Sequence, residues 1–290
     1  MLSIIVSSYQ EQYYLDFEEN LRKTCGIPYE IVRIWNPGTM SIYKAYNHGL
    51  VRSKYPYLLF VHEDVLFDSS GWGEVLVKQF EEDENVGLIG LAGVRLKTRA
   101  PSAWYENGKQ HNVECIKQYD KGKLITDYIP GDKWEKPEAV VVIDGVFIAM
   151  RKATGLMFDE RLDGFHNYDL SISLQAKAKG WKILVVKNIL LSHFSMGNFD
   201  REWLLSAHCF YQLYRRQLPL VEEGVGYSKQ LERNNYLLFF HQCLIHHQNR
   251  LALYYLFETW KIYFLTLTPY MMFVKLLVFQ CKFFFGKRSV

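Results

Sequence analysis

The chain has 290 residues, enough for one α/β domain with an appendage, and 49% of them are hydrophobic and 22% charged. Its 34 basic and 31 acidic residues leave a net charge of only +3, which argues against a nucleic-acid-binding surface. Its five cysteines are scattered without any Cys-x-x-Cys pair, which argues against a disulfide framework or a zinc site and is typical of a reducing, cytoplasmic compartment.

The first third of the chain alternates between strand-like and helix-like segments. Because residues 1–10 carry no basic leader and only a short apolar run, we expect them to form a strand rather than a signal peptide. Such alternation predicts βαβ units and a mostly parallel sheet, in which ligands bind at the carboxyl ends of strands. The predicted order is strand 2–7, helix 13–24, strand 29–35, helix 41–53, strand 55–61, helix 71–84 and strand 86–93.

Residues 95–137 interrupt this alternation. They are polar and rich in Lys, Gly and Asp, and so long a loop inside a compact domain is usually functional or flexible. The 16% aromatic share of the chain indicates either a carbohydrate- or nucleotide-binding surface or bulky core packing. The aromatic residues noted in this segment are Trp104, Tyr105, Tyr119, Tyr128 and Trp134.

Strand and helix signals return in the following 60 residues or so, again bounded by turn residues. The predicted elements are a strand over 138–152 with a turn at Asp144–Gly145, a loop entering a helix over 158–180, a strand over 181–187 and an apolar run over 189–197 that contains His193.

The last part of the chain is expected to be helical without strands. We place the boundary near residue 205, between an α/β domain, 1–205, expected to bind the ligand, and an apolar helical extension, 206–290. Only 13 residues separate Lys261 from Lys275, whereas a membrane-spanning helix needs about 20 apolar residues. Residues 262–288 therefore indicate a peripheral membrane contact, with their basic side chains towards the headgroups, or burial against the catalytic domain or a second copy of the chain.

Ionisable residues fall at three loop ends of the predicted α/β pattern: His62, Glu63 and Asp64 after the third strand, then Asp169, then His193. Each has a structural alternative, since Asp64 suits a turn, Asp169 a helix N-cap and His193 a hydrogen-bonded core position. Together, oxygen and imidazole ligands at one sheet edge suit Mg²⁺ or Mn²⁺. A bound cation would provide the partner that buried carboxylates need.

These motifs resemble, in their order, the family-2 glycosyltransferases of the GT-A fold, especially the branch related to a streptomycin-biosynthesis protein. The resemblance covers roughly residues 1–200. It implies a mostly parallel mixed sheet flanked by helices, with the helical C-terminal extension unmatched. The motifs that carry it are LSIIVSSY, HED, DG, FDERLDGFHNYDLSISLQAKAKG and LSHFSMG.

The resemblance implies a metal and diphosphate site around HED, residues 62–64. Asp64 matches the carboxylate that contacts the cation and the sugar diphosphate, and Glu63 belongs to the same motif. His62 stands where the family has its first Asp. His193 matches the late histidine that completes the metal shell, so Asp64 and His193 are the expected ligands of Mn²⁺ or Mg²⁺.

The resemblance also implies a catalytic base and a nucleoside contact. Asp169, in NYDLS, matches the base, with Tyr168 in place of the usual Glu. Asn36 falls where relatives have an Asp that contacts the nucleoside; an amide can pair with a base edge but carries no charge. Tyr9, after the first strand, is expected to stack on the base.

The sugar and acceptor contacts are expected elsewhere in the resemblance. Asp144 and Gly145 would lie beside the sugar ring, where Asp accepts hydroxyl hydrogen bonds and Gly allows close approach; a plain tight turn is the alternative. His166 would touch the acceptor or the phosphates, or support its loop. The aromatic residues of 95–137 would form part of the acceptor site.

The resemblance thus implies a metal-dependent inverting glycosyltransferase. It would move a sugar from a nucleotide-diphosphate donor to a glycan or lipid-linked acceptor in surface polysaccharide synthesis, at the inner face of the membrane. One alternative is a non-catalytic nucleotide-sugar-binding or assembly protein. A nucleotidyltransferase is a weaker alternative, because SSYQEQYY after the first strand offers no Gly-rich basic phosphate loop. The oligomeric state stays open, with a homo-oligomer as one alternative.

Overall fold

The computed structural model describes residues 1–127, 135–197 and 199–286, and the side chains up to residue 279. Its helices are α1 (Glu11–Thr24), α2 (Ile42–Arg52), α3 (Trp72–Glu82), α4 (Tyr168–Ala178), α5 (Arg201–Tyr214), α6 (Lys229–Ile245), α7 (Asn249–Tyr263) and α8 (Leu267–Gly286). Its strands are β1 (Leu2–Ser8), β2 (Tyr29–Trp35), β3 (Tyr57–Val61), β4 (Val65–Phe67), β5 (Val86–Gly90), β6 (Ala92–Val94), β7 (Leu96–Lys97), β8 (Asn112–Glu114), β9 (Ile116–Asp120), β10 (Lys123–Thr126), β11 (Glu138–Ala139), β12 (Val142–Ile143), β13 (Phe147–Arg151), β14 (Lys182–Val185), β15 (Leu191–His193) and β16 (Leu220–Val221).

A seven-stranded mixed sheet forms the centre of the molecule, in the order β11-β14-β5-β13-β3-β1-β2. The strands β2, β1, β3, β5 and β14 share one direction, whereas β13 and β11 run against it. Central strands are buried on both faces, which explains their continuous apolar sequences. The predicted α/β class with a mostly parallel mixed sheet and flanking helices is therefore confirmed.

A second, four-stranded sheet lies at the carboxyl end of β3, in the order β10-β9-β15-β4. The chain leaves the central sheet at Val61, passes through His62, Glu63 and Asp64, and enters this second sheet at Val65. Strand β15 pairs antiparallel with β4, and His193 lies opposite Val65. Pairing between the two strands thus brings His193 beside residues 62–64, which lie 131 to 129 positions earlier in the chain.

The segment 95–137 differs from the long loop that its composition predicts. Its described part contains the short strands β7 to β10 and two 3₁₀ turns, and β7, β8 and β9 pair with β16, β6 and β15 respectively. These strands are too short for their apolar residues to show a periodic pattern in the sequence. Trp104 and Tyr119 lie in this part. Tyr128 and Trp134 lie outside the described residues.

The C-terminal part is helical apart from β16, a two-residue strand that pairs with β7 where only helices were expected. Position 205 lies inside α5, whose Phe210 and Tyr214 belong to the core of the α/β part. A second apolar core joins α5 to α6, α7 and α8. Its large buried residues include Tyr211, Tyr236, Phe239, Tyr255 and Met272.

Helix α8 buries only a narrow face in this second core. Met272 and Leu276 are buried, whereas most of the other described positions on the helix are apolar and exposed. Across the part of the chain that the structure describes, no helix combines the length and apolarity needed to cross a membrane.

Candidate functional site

Three potential metal ligands converge where β3 passes into β4. His62 Nδ1 lies 3.4 Å from His193 Nε2, and each of these nitrogens lies close to Asp64 Oδ1, at 3.8 and 3.7 Å respectively. His193 is buried, and burial together with the neighbouring His62 lowers its pKa to about 4. We call His62, Asp64 and His193 the ligand cluster. It contains both of the predicted metal ligands, Asp64 and His193, and adds His62.

The hydrogen bonds of the His193 ring leave its cluster-facing nitrogen available. Gln118 Nε2 donates to the carbonyl oxygen of Ser195 at 2.6 Å, which sets the orientation of the amide. Gln118 Oε1 then accepts from His193 Nδ1, at 2.9 Å. Because Nδ1 carries the proton in this arrangement, Nε2 keeps its lone pair. Sequence reasoning missed Gln118, since only the pairing of β9 with β15 brings it to His193.

The donor set fits a divalent cation. Each of the three residues offers one ligand atom, and these atoms lie within 4.8 Å of one another. Two imidazoles and one carboxylate are ligand types that bind first-row divalent metals. A cation would also provide a partner for the Asp64 carboxylate, for which a buried position is costly.

Glu63 points away from the ligand cluster. Its carboxylate accepts hydrogen bonds from the backbone N–H groups of Tyr9 and Gln10, at 3.2 to 3.3 Å. These groups lie directly before α1, whose N-cap is Gln10, and a negative charge near the N-terminus of a helix is stabilising. The buried Glu63 carboxylate therefore has hydrogen-bond partners within the protein. These bonds connect the end of β3 to the turn after β1.

Two cavities meet at the ligand cluster, and both are lined by His62, Phe165, Tyr168 and Ser195. One cavity, of about 600 Å³, opens towards α1 and the turn after β2; we call it the β2-side cavity. The other, of about 660 Å³, opens towards residues 103–112 and α4; we call it the α4-side cavity. A ligand that passes from one cavity to the other therefore passes the cluster.

The β2-side cavity is lined by aromatic rings and by loop residues. Tyr9 is 58% exposed there, and Tyr13 lies beside it. Asn36 also lines this cavity, but it is buried and its amide is engaged in the turn that follows. Its Oδ1 accepts from the N–H of Met40 and its Nδ2 donates to the carbonyl oxygen of the same residue, at 3.1 and 3.0 Å. Asn36 thus shapes the loop that borders the cavity.

Three carboxylates line the α4-side cavity, and two of them, Asp144 and Asp169, are predicted site residues; the third is Glu114. Asp144 accepts from Trp104 Nε1 at 2.5 Å and from the N–H of Val146 at 2.7 Å. Asp169 lies in the first turn of α4 but does not cap it, since the N-cap residue is Asn167. Burial, together with the negative charge of Asp144, raises the pKa of Asp169 to about 7.

Tyr168 links the ligand cluster to Asp169, its neighbour in the chain. Its hydroxyl lies 2.6 Å from His62 Nε2, and its ring packs among Tyr43, Tyr46 and Phe158. A Cβ at position 145 would lie 2.3 Å from this hydroxyl, so only glycine leaves room for the ring. Gly145 does permit a close approach, and the group that approaches it in this structure is Tyr168.

His166 borders the α4-side cavity, and its backbone also supports the loop before α4. Its carbonyl oxygen accepts from the Tyr43 hydroxyl at 2.6 Å and from Ser206 Oγ at 3.1 Å. Burial lowers the pKa of its imidazole, although Asp200 and Glu202 oppose this shift.

Comparisons with known proteins show what the chain is similar to. Residues 3–217 match the family described as a glycosyltransferase-like family. A curated relative from Fuscovulum blasticum, named ATP synthase subunits region ORF 6, is 26% identical over 174 residues, which are 59% of this chain and 64% of that relative.

Two solved structures are similar in fold. GalNAc-T7 with UDP, GalNAc and Mn²⁺ aligns with a TM-score of 0.50 and 12% identity, over 80% of this chain and 53% of that one. Residues 1–349 of S. aureus TarS with UDP-GlcNAc align with a TM-score of 0.44 and 12% identity, over 90% and 72%. The chain thus spans less than two thirds of the curated relative and of GalNAc-T7.

The likeness to GalNAc-T7 concerns the fold alone, because its identity is low. The family match rests on sequence and covers most of the chain, from the first strand of the central sheet to the end of α5. It includes every residue that lines the two cavities. The predicted kinship with GT-A glycosyltransferases is confirmed: the chain belongs to this glycosyltransferase-like family.

Proposed function

We propose that this protein is a metal-dependent, inverting glycosyltransferase that moves a sugar from a nucleotide-diphosphate donor to an acceptor hydroxyl. The observation that carries the proposal is the arrangement of two cavities on either side of the ligand cluster, with a high-pKa carboxylate in one of them. Such a site accommodates a donor that crosses the cluster and an acceptor that approaches the anomeric carbon from the α4 side.

The β2-side cavity suits the nucleoside of the donor. Tyr9 and Tyr13 offer exposed ring faces on which a base can stack. Among the described residues that line this cavity there is no Lys or Arg to neutralise a diphosphate. A divalent cation held by Asp64 and His193 would supply that positive charge and act as a Lewis acid on the leaving diphosphate.

The α4-side cavity suits the sugar and the acceptor. Asp169 is the proposed base that takes the proton from the attacking hydroxyl, and a pKa near 7 is well matched to that task at neutral pH. Asp144 and Trp104 border the same space and would contact sugar hydroxyls and a sugar face. One displacement with one base inverts the anomeric configuration.

The test of the function is calorimetric titration with UDP, GDP, CDP and dTDP, each with and without Mn²⁺, followed by transfer assays with the sugars of whichever nucleotide binds. Because the similar structure of GalNAc-T7 holds UDP, UDP is the first to try. We expect one nucleotide to bind only with the metal. Binding of a nucleotide sugar without hydrolysis or transfer to any acceptor would instead support a non-catalytic binding protein.

We further propose that α7 and α8 rest on a membrane surface and bring the site to a glycan or lipid-linked acceptor of surface polysaccharide synthesis, on the cytoplasmic face. After Glu258 the sequence has five basic residues and no acidic one, which complements anionic lipid and disfavours self-association of two such segments. The exposed apolar residues of this surface include Phe257, Phe264, Leu265, Leu267, Met271, Phe273, Val274, Leu277 and Val278.

Sedimentation with vesicles tests the membrane contact. The full chain is expected to sediment with vesicles that contain an anionic phospholipid, and less with vesicles of neutral phosphatidylcholine alone. The pair Val274→Glu and Val278→Glu should reduce this binding, whereas Leu124→Glu, an exposed apolar position far from α8 in the sequence, should not. A concentration-dependent dimer that dissociates in the α8 variant would contradict the membrane contact and favour a second copy of the chain.

A further inference from the structure

We infer that the helical extension forms part of the acceptor site, with Asn235 of α6 as a positioning residue for Trp104 in the wall of the α4-side cavity. The inference rests on the proposed function in taking this cavity as the place where the acceptor binds. It goes beyond that function, because α6 lies outside residues 3–217, the part of the chain that matches the family.

Residues 97–107, which we call the strap, form a loop that is closed by hydrogen bonds of its own buried side chains. Lys97 Nζ donates to the carbonyl oxygen of Thr98 at 3.2 Å and to Ser102 Oγ at 2.8 Å. At the other end of the loop, Asn107 Oδ1 accepts from the N–H of Thr98 at 3.0 Å. Because these groups are buried and bonded to one another, we expect the strap to move as a unit.

Helix α6 holds the strap through two buried polar side chains. Asn235 Nδ2 donates to Thr98 Oγ1 at 2.9 Å and to Asn107 Oδ1 at 3.2 Å. One turn earlier in the helix, Glu232 Oε2 accepts from the N–H of Arg99 at 3.3 Å. Since a buried polar group that loses its partner is costly, these hydrogen bonds fix the strap against α6.

The side chain of Asn107 connects this contact to the cavity. Its Nδ2 donates to the carbonyl oxygen of Trp104 at 2.8 Å. The indole ring of Trp104 lines the α4-side cavity, and its Nε1 donates to Asp144 Oδ2 at 2.5 Å. Hydrogen bonds therefore lead from Asn235 through Asn107 to Trp104, and from there to the carboxylate that lies beside the proposed base, Asp169.

A row of aromatic rings makes a second, apolar connection between the cavity and α6. The ring centroids of Tyr105 and Phe199 are 6.2 Å apart, those of Phe199 and Trp203 are 4.6 Å apart, and those of Trp203 and Phe239 are 5.8 Å apart. The first three of these residues line the α4-side cavity, whereas Phe239 lies in α6 and in the second apolar core. Helix α6 thus supports the aromatic wall on which an acceptor would pack.

This support concerns one of the two cavities. Trp104, Tyr105, Phe199 and Trp203 line the α4-side cavity and not the β2-side cavity, where the nucleoside is proposed to bind. A displaced strap should therefore impair use of the acceptor and leave nucleotide binding intact. The expected effect is large, because a misplacement of about 1 Å that originates far from the reacting atoms can lower a rate about 100-fold.

The kinetic test compares the full-length wild type with Asn235→Ala and with Asn234→Ala. Asn234 is the exposed neighbour on α6, whose Oδ1 accepts from Gln230 Nε2 at 2.8 Å, so its replacement is the matched control. Asn235→Ala is expected to lower kcat/KM for the acceptor about 10–100-fold and to change the calorimetric affinity for UDP with Mn²⁺, or for whichever nucleotide the wild type binds, less than about twofold. Asn234→Ala should change neither quantity.

The indole N–H resonance of Trp104 provides a readout that does not require activity. Proton–nitrogen correlation spectra contain a signal for each indole N–H, and Trp104→Phe identifies the one from Trp104 by its loss. Because this N–H donates to a carboxylate, its proton signal should lie at high frequency. Asn235→Ala should shift or broaden it, whereas Asn234→Ala should leave it unchanged.

Thr98→Val tests the same connection from the side of the strap. It removes the hydroxyl that accepts from Asn235 and keeps the shape of the side chain, so it should reproduce both effects of Asn235→Ala. It also decides the matter if Asn235→Ala loses nucleotide binding through misfolding.

The outcomes separate this inference from the proposed function. Wild-type acceptor kinetics and an unchanged Trp104 resonance in Asn235→Ala and Thr98→Val would overturn the inference and leave the transferase function standing. If the resonance moves in both variants but the wild type transfers sugar to no acceptor, the positioning of Trp104 by α6 holds and the proposed function fails.

Discussion

Replacing Asp169 by asparagine is expected to lower kcat by about 10²–10⁴, while the affinity for the donor nucleotide changes less than about twofold. Asparagine keeps the size of the side chain and its hydrogen bond with the N–H of Leu170, but its amide cannot take a proton from the acceptor hydroxyl. Because Asp169 borders the α4-side cavity and not the β2-side cavity, nucleotide binding should persist.

The measurement is initial-rate kinetics of sugar transfer beside calorimetry of nucleotide binding. Asp163→Asn is the matched control, since Asp163 is an exposed carboxylate of the loop before α4. Transfer by Asp169→Asn at the wild-type rate would show that Asp169 is not the base. Loss of nucleotide binding in the same variant would point to a folding defect rather than to the chemistry.

The same carboxylate sets an expected pH dependence. Burial and the negative charge of Asp144 raise the pKa of Asp169 to about 7, and a base is active only when deprotonated. We therefore expect kcat/KM to fall as the pH drops through about 7 and to level off above it. Asp144→Asn should move this midpoint to lower pH, because it removes the neighbouring charge. A flat profile between pH 5.5 and 8 would contradict this assignment.

Asp64→Asn is expected to weaken metal-dependent nucleotide binding by about 100-fold or more, since even residues behind metal ligands are commonly worth about 10–100-fold in metal affinity. Asp64 is the only carboxylate of the ligand cluster, and its Oδ1 lies 3.8 and 3.7 Å from the facing nitrogens of His62 and His193. An amide keeps an oxygen there but brings no negative charge. The measurement is calorimetry of the preferred nucleotide at increasing Mn²⁺ concentration.

Asp68→Asn provides the control for this loss. Asp68 lies just after β4, where its carboxylate accepts from Ser192 Oγ at 2.9 Å, and it takes no part in the ligand cluster. Its replacement should leave metal-dependent binding nearly unchanged. If Asp64→Asn binds nucleotide as the wild type does, with or without metal, the carboxylate has a structural role and the diphosphate must be bound by other groups.

Local sequence was sufficient for most elements of the central sheet, although the single strand predicted over 138–152 is divided into β11, β12 and β13. Strand β1 and strand β3 each bury a continuous apolar run, and helix α4 ends before Gly180, as turn and periodicity signals predict. Such signals involve residues that are neighbours in the chain, so a single sequence displays them. The ordered motifs around residues 62–64, 144–145 and 169 also indicated the family, which the match over residues 3–217 confirms.

Local sequence was not sufficient to predict which groups within the protein form hydrogen bonds with the site residues. The Glu63 carboxylate accepts from the backbone before α1, and the Asn36 amide forms hydrogen bonds within its own loop. No feature of the sequence distinguishes these structural roles from ligand binding. Gln118 has no motif at all. Its contact with His193 depends on the register of β9 against β15, which only the folded second sheet determines.

The sequence by itself thus determined the fold class and the family of this protein, and it supplied the candidate site residues. Tertiary structure alone decided how they are used: that His62 joins Asp64 and His193, that Tyr168 lies behind His62, and that Asp144 raises the pKa of Asp169. The physical reason is the separation along the chain of the residues that interact. Strand and helix signals arise from adjacent residues, whereas ligand geometry and pKa depend on strand pairing and on charges that meet only after the chain has folded.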